Sequence, residues 1–139
     1  RRGVVRSTPV AIQAVKPGCG RRALGGAAPA GRKSAEAVRA GGKELVYALM
    51  ERNGLQGGQL VSVAFSVTRD LDAWFPAAIA RRQPGWEQVA LLDCQQMEVA
   101  GDLPRCIRLL AHAWLQPQQI PVHPYLREAA GLRPDRAQP

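Results

Sequence analysis

The tightest constraint on the fold lies at residues 60–67, Leu-Val-Ser-Val-Ala-Phe-Ser-Val, where side chains alternate with a period of two. Val61, Val63, Phe65 and Val67 fall on one face while Ser62 and Ser66 fall on the other, so the run predicts a strand with one face on a core. A lone strand is not stable and needs neighbours. Two later apolar runs supply them, at about 87–93 and at 106–115. In the second run Ile107, Leu109, Ala111, Ala113 and Leu115 alternate with Arg108, His112 and Trp114, which favours strand over helix. Between the two runs the chain loops through Gly101-Asp102-Leu103-Pro104. Arg108 is the only cationic residue from Ile107 to Leu115. An arginine at the mouth of a buried run is costly to desolvate unless its head stays in solvent or meets an anion or a hydrogen-bonding partner.

Helices fill the gaps. Ser34 is placed to cap a helix over roughly 35–52, with Val38, Leu45, Val46 and Leu49 on one face and Asn53-Gly54 as the stop. Gly41-Gly42 weakens this helix by about 1 kcal/mol per glycine relative to alanine, so it needs tertiary support. Pro76 suits the first turn of a short helix over 76–83, which Pro84-Gly85 ends. Pro117, Pro121 and Pro124 exclude regular structure until Tyr125, after which a short helix over 125–131 is expected. The fold class is α+β, a small mixed β-sheet with helices on one side. Its uncovered surface suits a partner subunit.

Charge comes next. The formal net charge of +8 would suggest nucleic acid if it were spread over the body of the protein. It is not. Residues 1–45 carry ten Lys/Arg against Glu36 and Glu44, whereas residues 46–139 carry nine of each sign. No aromatic residue precedes Tyr47 to stack on bases, and no binding motif is evident, so specific nucleic-acid recognition is not expected. Residues 1–33 contain no acid, carry breakers at Pro17-Gly18-Cys19-Gly20 and Gly25-Gly26, and read as an ill-ordered basic extension with a short strand near Val4–Val5 or Val10–Ile12. No run is long enough to cross a bilayer, so no membrane partner is expected. Cys19, Cys94 and Cys106 form no CxxC pair and leave one thiol over, which points to a reducing, cytoplasmic home. His112 and His123 lack the spacing and acidic company of a metal site, so no metal is expected.

Three segments in order carry a resemblance. The first runs from Ser66 through Thr68-Arg-Asp-Leu-Asp-Ala-Trp-Phe-Pro76 to Arg81. The second is Gln95-x-Met97 with Gly101-x-Leu103-Pro-Arg-Cys-Ile-Arg108. The third is His123-Pro-Tyr125-Leu with Leu132-Arg-Pro-Asp135. Together they resemble the AroH-type chorismate mutases, the trimeric, mainly β class, over about Arg22 to Asp135. The resemblance implies one domain over 21–139 behind an extension over 1–20, and a pseudo-α/β-barrel homotrimer with active sites at subunit clefts. The implied reaction is the Claisen rearrangement of chorismate to prephenate, on the route to phenylalanine and tyrosine, without a cofactor. By position, Arg108 matches the arginine that meets the ether oxygen and a carboxylate, and Tyr125 the tyrosine that binds the side-chain carboxylate. Phe75, Ala77 and Leu132 match the apolar wall, Arg81 an arginine at the cleft edge, and Arg133 a tail arginine near the mouth. Backbone groups of Leu92 and Asp93 match those that meet the ring hydroxyl.

The chain departs from the family at three positions. Gly25 stands where the N-terminal motif has a catalytic arginine, Ala78 where the cleft has a lysine, and Gln96 where it has a glutamate. Gln96 keeps a hydrogen bond to the ring hydroxyl but cannot offset positive charge on the breaking ring. Losing one preorganised donor costs about 2.7–4 kcal/mol of barrier. Arg6, Arg21 and Arg22 are candidates to replace the arginine missing at Gly25. Two readings remain open at this point, a slowed chorismate mutase and a silent member that binds a related dicarboxylate.

Overall fold

In a computed structural model, residues 18–136 of the chain are described. The sheet has four strands: β1 (Gly20–Pro29), β2 (Leu60–Val67), β3 (Ala90–Gln95) and β4 (Cys106–Leu115). Their spatial order is β1-β4-β2-β3. β4 pairs antiparallel with β1 and with β2, and β2 pairs parallel with β3, so the sheet is mixed. Helices α1 (Ala35–Arg52) and α2 (Pro76–Ala80) pack on the same face of it. The α+β reading holds, and among the described residues no helix is long and apolar enough to cross a membrane.

Local chemistry explains each boundary that the sequence predicted correctly. The Ser34 hydroxyl accepts from Ala37 N at 3.2 Å and opens α1. Asn53 closes it, and the buried Asn53 side chain donates to Leu49 O (2.9 Å) and Val122 O (2.8 Å) and accepts from Val122 N (2.8 Å). Helix α1 is thereby stitched to the segment that leads to Tyr125. Gly41 and Gly42 face the core. A Cβ at Gly42 would stand 2.8 Å from Ile79 Cδ1, so the pair's cost in helix propensity secures close approach of α2.

Five expectations need correction. Residues 20–29, including the supposed breakers Gly25-Gly26, form β1, because β4 supplies a full antiparallel partner from Gly20↔Leu115 to Pro29↔Cys106. In β2 a register irregularity between Leu60 and Ser62 turns Leu60 inward and leaves Val61 39% exposed, while Val63 and Phe65 are buried as expected. Helix α2 ends at Ala80 rather than residue 83, and β3 runs over 90–95 rather than 87–93. The expected helix at 125–131 is a 3₁₀ helix over Arg127–Leu132. The expected strand near Val4–Val5 or Val10–Ile12 lies outside the described residues.

The core lies between the sheet and the helices, and β4 contributes Ile107, Leu109, Ala111, Ala113 and Leu115 to it. The alternate residues of β4, Arg108, Leu110, His112 and Trp114, stand on the opposite face. Leu110 there is 49% exposed and Leu92 of β3 62% exposed.

Candidate active site

Arg108 sits near the start of the inner strand β4, on the sheet's outer face, with Ala27 of β1 and Ser66 of β2 as its lateral neighbours. Ala27 in turn forms a parallel bridge with Tyr125, so Arg108, Ala27 and Tyr125 lie side by side. The bridge is held by Ala27 N donating to Pro124 O (2.9 Å) and Leu126 N donating to Ala27 O (2.8 Å). Ala27 and Tyr125 of this row also belong to a small apolar cluster separate from the main core, made of Ala27, Cys106 and Ala129 with Leu103, Tyr125 and Leu132 against it. Burial pushes the Cys106 thiol pKa up, against the pull of nearby Arg108, so this cysteine stays a neutral packing group.

A cleft of about 440 Å³ opens here, lined by Gln96, Asp102, Arg108 and Leu132 together with residues of the 97–101 loop. Arg108 Nη2 donates to both carboxylate oxygens of Asp102, at 3.1 and 2.9 Å. Its Nε is buried and has no hydrogen-bond partner among the described residues. Gln96 is fixed by its backbone N donating to Val67 O (2.8 Å) and by Ser66 Oγ donating to its Oε1 (2.5 Å). With the amide oxygen occupied, the Gln96 NH₂ is the group left to face a ligand.

Near Tyr125, Gly25 N donates to His123 Nδ1 at 2.9 Å. This bond requires an unprotonated Nδ1. Partial burial, followed by the charges of Arg136, Arg133 and Arg22, holds the His123 pKa below its ordinary value, and a bond made only by the neutral ring acts in the same direction. A Cβ at Gly25 would meet Tyr125 Oη at 3.1 Å, so the tyrosine hydroxyl stands beside the space of the absent side chain.

The remaining sequence-predicted residues gather elsewhere. Phe75, Ala78 and Asp93 line a second cleft of about 670 Å³ with Trp74 and Leu71. Phe75 is 70% exposed, whereas Ala77 is buried and donates its backbone N to Asp93 Oδ1 at 2.9 Å. The Asp93 side chain therefore anchors α2. Arg81 caps the end of α2 and is exposed. Leu92 projects from the outer face. Arg133 is held by Asp135 at 3.0 and 2.9 Å, a pairing that raises the arginine pKa and lowers that of the carboxyl. Arg21 lies over the Trp114 ring (5.4 Å to its centroid), and Arg22 is exposed on β1 with its charge felt at His123. Arg6 lies outside the described residues.

Within one chain, then, Arg108, Gln96 and Leu132 share one cleft, with Gly25 on the adjoining strand β1 and Tyr125 bridged to that strand, while Phe75, Ala78 and Asp93 share another. Sequence reasoning missed Asp102, Ser66 and His123 as members of the site. An acid within a Gly-x-Leu-Pro turn six residues before Arg108 was the available signal for Asp102. Ser66 and His123 gave no signal apart from lying inside the matched segments. Among the described residues no three or more His, Cys, Asp or Glu side chains gather where a metal ion would be held.

Known proteins resemble the chain in sequence and in fold. The family described as chorismate mutase type I matches residues 21–136. Chorismate mutase AroH of Thermus thermophilus is 43% identical over 117 residues, covering 82% of this chain and 94% of that protein. Chorismate mutase AroH of Bacillus subtilis (strain 168) is 34% identical over 115 residues, covering 82% of this chain and 91% of its own length. The solved structure of a chorismate mutase from Clostridium thermocellum superposes with a TM-score of 0.74 at 34% identity, covering 79% of this chain and 98% of that one. By sequence along nearly its whole described length and by fold, the chain belongs to the type I, AroH-type chorismate mutase family.

Proposed function

We propose that the chain converts chorismate to prephenate at a site completed by a second copy of itself, in a cytoplasmic homotrimer. The carrying observation is the division of the site residues between two clefts. One holds Arg108, Gln96 and Leu132, and the other holds Phe75 and the β3 backbone. A single dianion is gripped by both sets when one chain's first cleft faces another chain's second. The exposed Phe75, Leu92 and Leu110 support this, since such residues are ordinary at an interface between subunits and costly on a free surface.

The rearrangement needs no cofactor, covalent intermediate or proton transfer. A flexible dianion must be folded into its reactive conformer while negative charge grows on the ether oxygen. Arg108 is the group for that charge. Its position is fixed at one end by Asp102, and its buried, unpartnered Nε is a donor that a ligand oxygen would satisfy. Tyr125, one bridge away, is placed to bind the side-chain carboxylate. The Gln96 amide and the backbone of Leu92 and Asp93 are placed for the ring hydroxyl. Phe75 and Leu132 supply the apolar wall, backed by the buried Ala77, with Arg81 and Arg133 at its rim. Of the arginines considered as replacements at Gly25, Arg22 contributes charge at His123 beside that glycine, behind Arg136 and Arg133.

The test is a chorismate-to-prephenate assay on wild type and Arg108→Ala side by side. Wild type turns over above the buffer-only rate, and the variant loses about two orders of magnitude or more in kcat. The fold survives the change, because losing the Arg108–Asp102 contact, about a quarter exposed, costs about 1.5–3 kcal/mol out of the ~5–15 kcal/mol of a typical domain. Decay of chorismate at the buffer rate with wild-type protein would leave the silent, ligand-binding reading in its place.

A further inference from the structure

Asp102 is absent from the residues that the family resemblance assigns to the site, yet it makes the only salt bridge to Arg108 among the described residues. We propose that Asp102 is the positioning residue for Arg108 in this chain, and that it supplies the cleft's carboxylate in place of one at Gln96. This rests on the function proposed above. Three observations carry it. Asp102 grips Nη2 alone with both oxygens, at 3.1 and 2.9 Å, which leaves Nε and Nη1 for substrate. Oδ1 also accepts from Leu103 N at 2.8 Å, so the carboxylate is oriented by its own turn and is not a freely swinging surface acid. Lastly, both groups are only about a quarter exposed and line the same cleft as Gln96, whose side chain is neutral and bound to Ser66.

The physical consequence is a single balanced charge pair facing the reacting atoms. Arg108 is held against growing negative charge on the ether oxygen, and Asp102 places one negative charge on the same wall, where positive charge on the ring is offset. A second carboxylate beside the same arginine adds repulsion against a dianionic substrate without a second cation in the lining of that cleft to answer it. Gln96 is therefore matched to Asp102: an acid at either position works, and acids at both do not.

The experiment compares wild type, Asp102→Asn, Asp102→Glu, Gln96→Glu and the exchange variant Gln96→Glu/Asp102→Asn. Steady-state kinetics on chorismate are read together with the ¹⁵N-arginine Nε–H signal of Arg108. Asp102→Asn is expected to lower kcat roughly ten- to a hundredfold through a loosened guanidinium, while KM stays level or falls because a negative charge has left the cleft. Its Arg108 Nε–H signal should broaden and exchange faster with solvent. Asp102→Glu should restore part of the loss. Gln96→Glu alone should lower kcat/KM several-fold, and the exchange variant should exceed Asp102→Asn by about tenfold. Unchanged or increased kcat in Asp102→Asn overturns the proposal, an increase meaning that Asp102 competes with substrate for Arg108. A gain on Gln96→Glu with Asp102 intact overturns it as well. Should wild type show no turnover, the proposed activity fails, and the Nε–H signal alone decides whether Asp102 positions Arg108.

Discussion

Two adjacent glycines in β1 should respond to alanine in opposite ways. Gly26 is buried, pairs with Leu109, and has no positive φ, so alanine meets no backbone penalty there. Space is the obstacle. Its Cβ would stand 2.8 Å from Pro124 O, 3.1 Å from Pro124 Cγ and 3.3 Å from Leu45 Cδ1. Relief requires the 124–126 segment to retreat by about 0.5 Å or more, because comfortable C···O contacts begin near 3.3 Å. That segment is tied to β1 by the Ala27 N to Pro124 O and Leu126 N to Ala27 O hydrogen bonds, so retreat stretches both. Overpacking of about 1–3 kcal/mol plus about 1 kcal/mol of weakened hydrogen bonding gives a loss of roughly 2–4 kcal/mol. For a chain of this length that corresponds to a Tm lower by about 6–15 °C. Gly25→Ala meets the Tyr125 hydroxyl at 3.1 Å, the far end of a side chain that can turn aside. Its cost is offset by about 0.4–1 kcal/mol from the stiffer unfolded chain, so its Tm should stay within about 3 °C of wild type. Thermal unfolding followed by circular dichroism, at one protein concentration for all three proteins, makes the comparison. Gly26→Ala should also raise KM for chorismate, since Tyr125 rides on the displaced segment. If Gly26→Ala melts with wild type, or Gly25→Ala proves the weaker of the two, the packing argument is wrong.

Three further expectations concern the site and its supports. Mixing Arg108→Ala with Phe75→Ala, each poorly active alone, should recover activity after subunit exchange, because some clefts then combine two intact walls; no recovery in verified mixed oligomers would place the site within one chain. Asn53→Ala should lower stability by about 2–4 kcal/mol by leaving Val122 N and O unpaired in partly buried surroundings, read as a shifted urea midpoint, and a shift worth under about 1 kcal/mol would count against it. His123 has a folded-state pKa below its ordinary 6.5, so the folded state binds fewer protons than the unfolded one. Its contribution to stability is intact above 6.5 and declines as pH falls from there through the folded value. His123→Asn, whose Oδ1 accepts from Gly25 N in the same place, should flatten that decline, whereas an unchanged pH profile of Tm would assign the slope to other groups.

The sequence announced the elements whose chemistry is local. The Ser34 cap, Pro76 at the first turn of α2, and the period-two patterns of β2 and β4 all read correctly because each depends on near neighbours along the chain. Strand β1 was hidden for the converse reason. Gly, Ala and Pro have low strand propensity, and Gly20–Pro29 is a strand only because β4 and the 124–126 segment pair with its two edges. Likewise the Leu60/Ser62 irregularity, which exchanges Val61 for Leu60 in the core, is imposed by the partner strand. Arg108 was legible as a cation in an apolar run. Its partner Asp102, the Ser66–Gln96 bond and the Gly25–His123 bond depend on a loop, a neighbouring strand and a distant segment meeting in space, and spacing carries no trace of that.

The pairing of β1 with β4 also sets a timetable for the protein's birth. Gly20 finds Leu115 only after 95 further residues have been made, about 5–20 s of synthesis. The β2 strand must likewise wait for β3 and β4. Through that interval the nascent chain carries α1 and an unpaired glycine-rich segment, with long-range contacts still to come. The bridge from Ala27 to Tyr125 closes later still. A growing chain therefore acquires its Arg108–Ala27–Tyr125 row last, after the core beneath it is laid down, and a released chain cut just before residue 125 would carry all four strands with one wall of its cleft unbuilt.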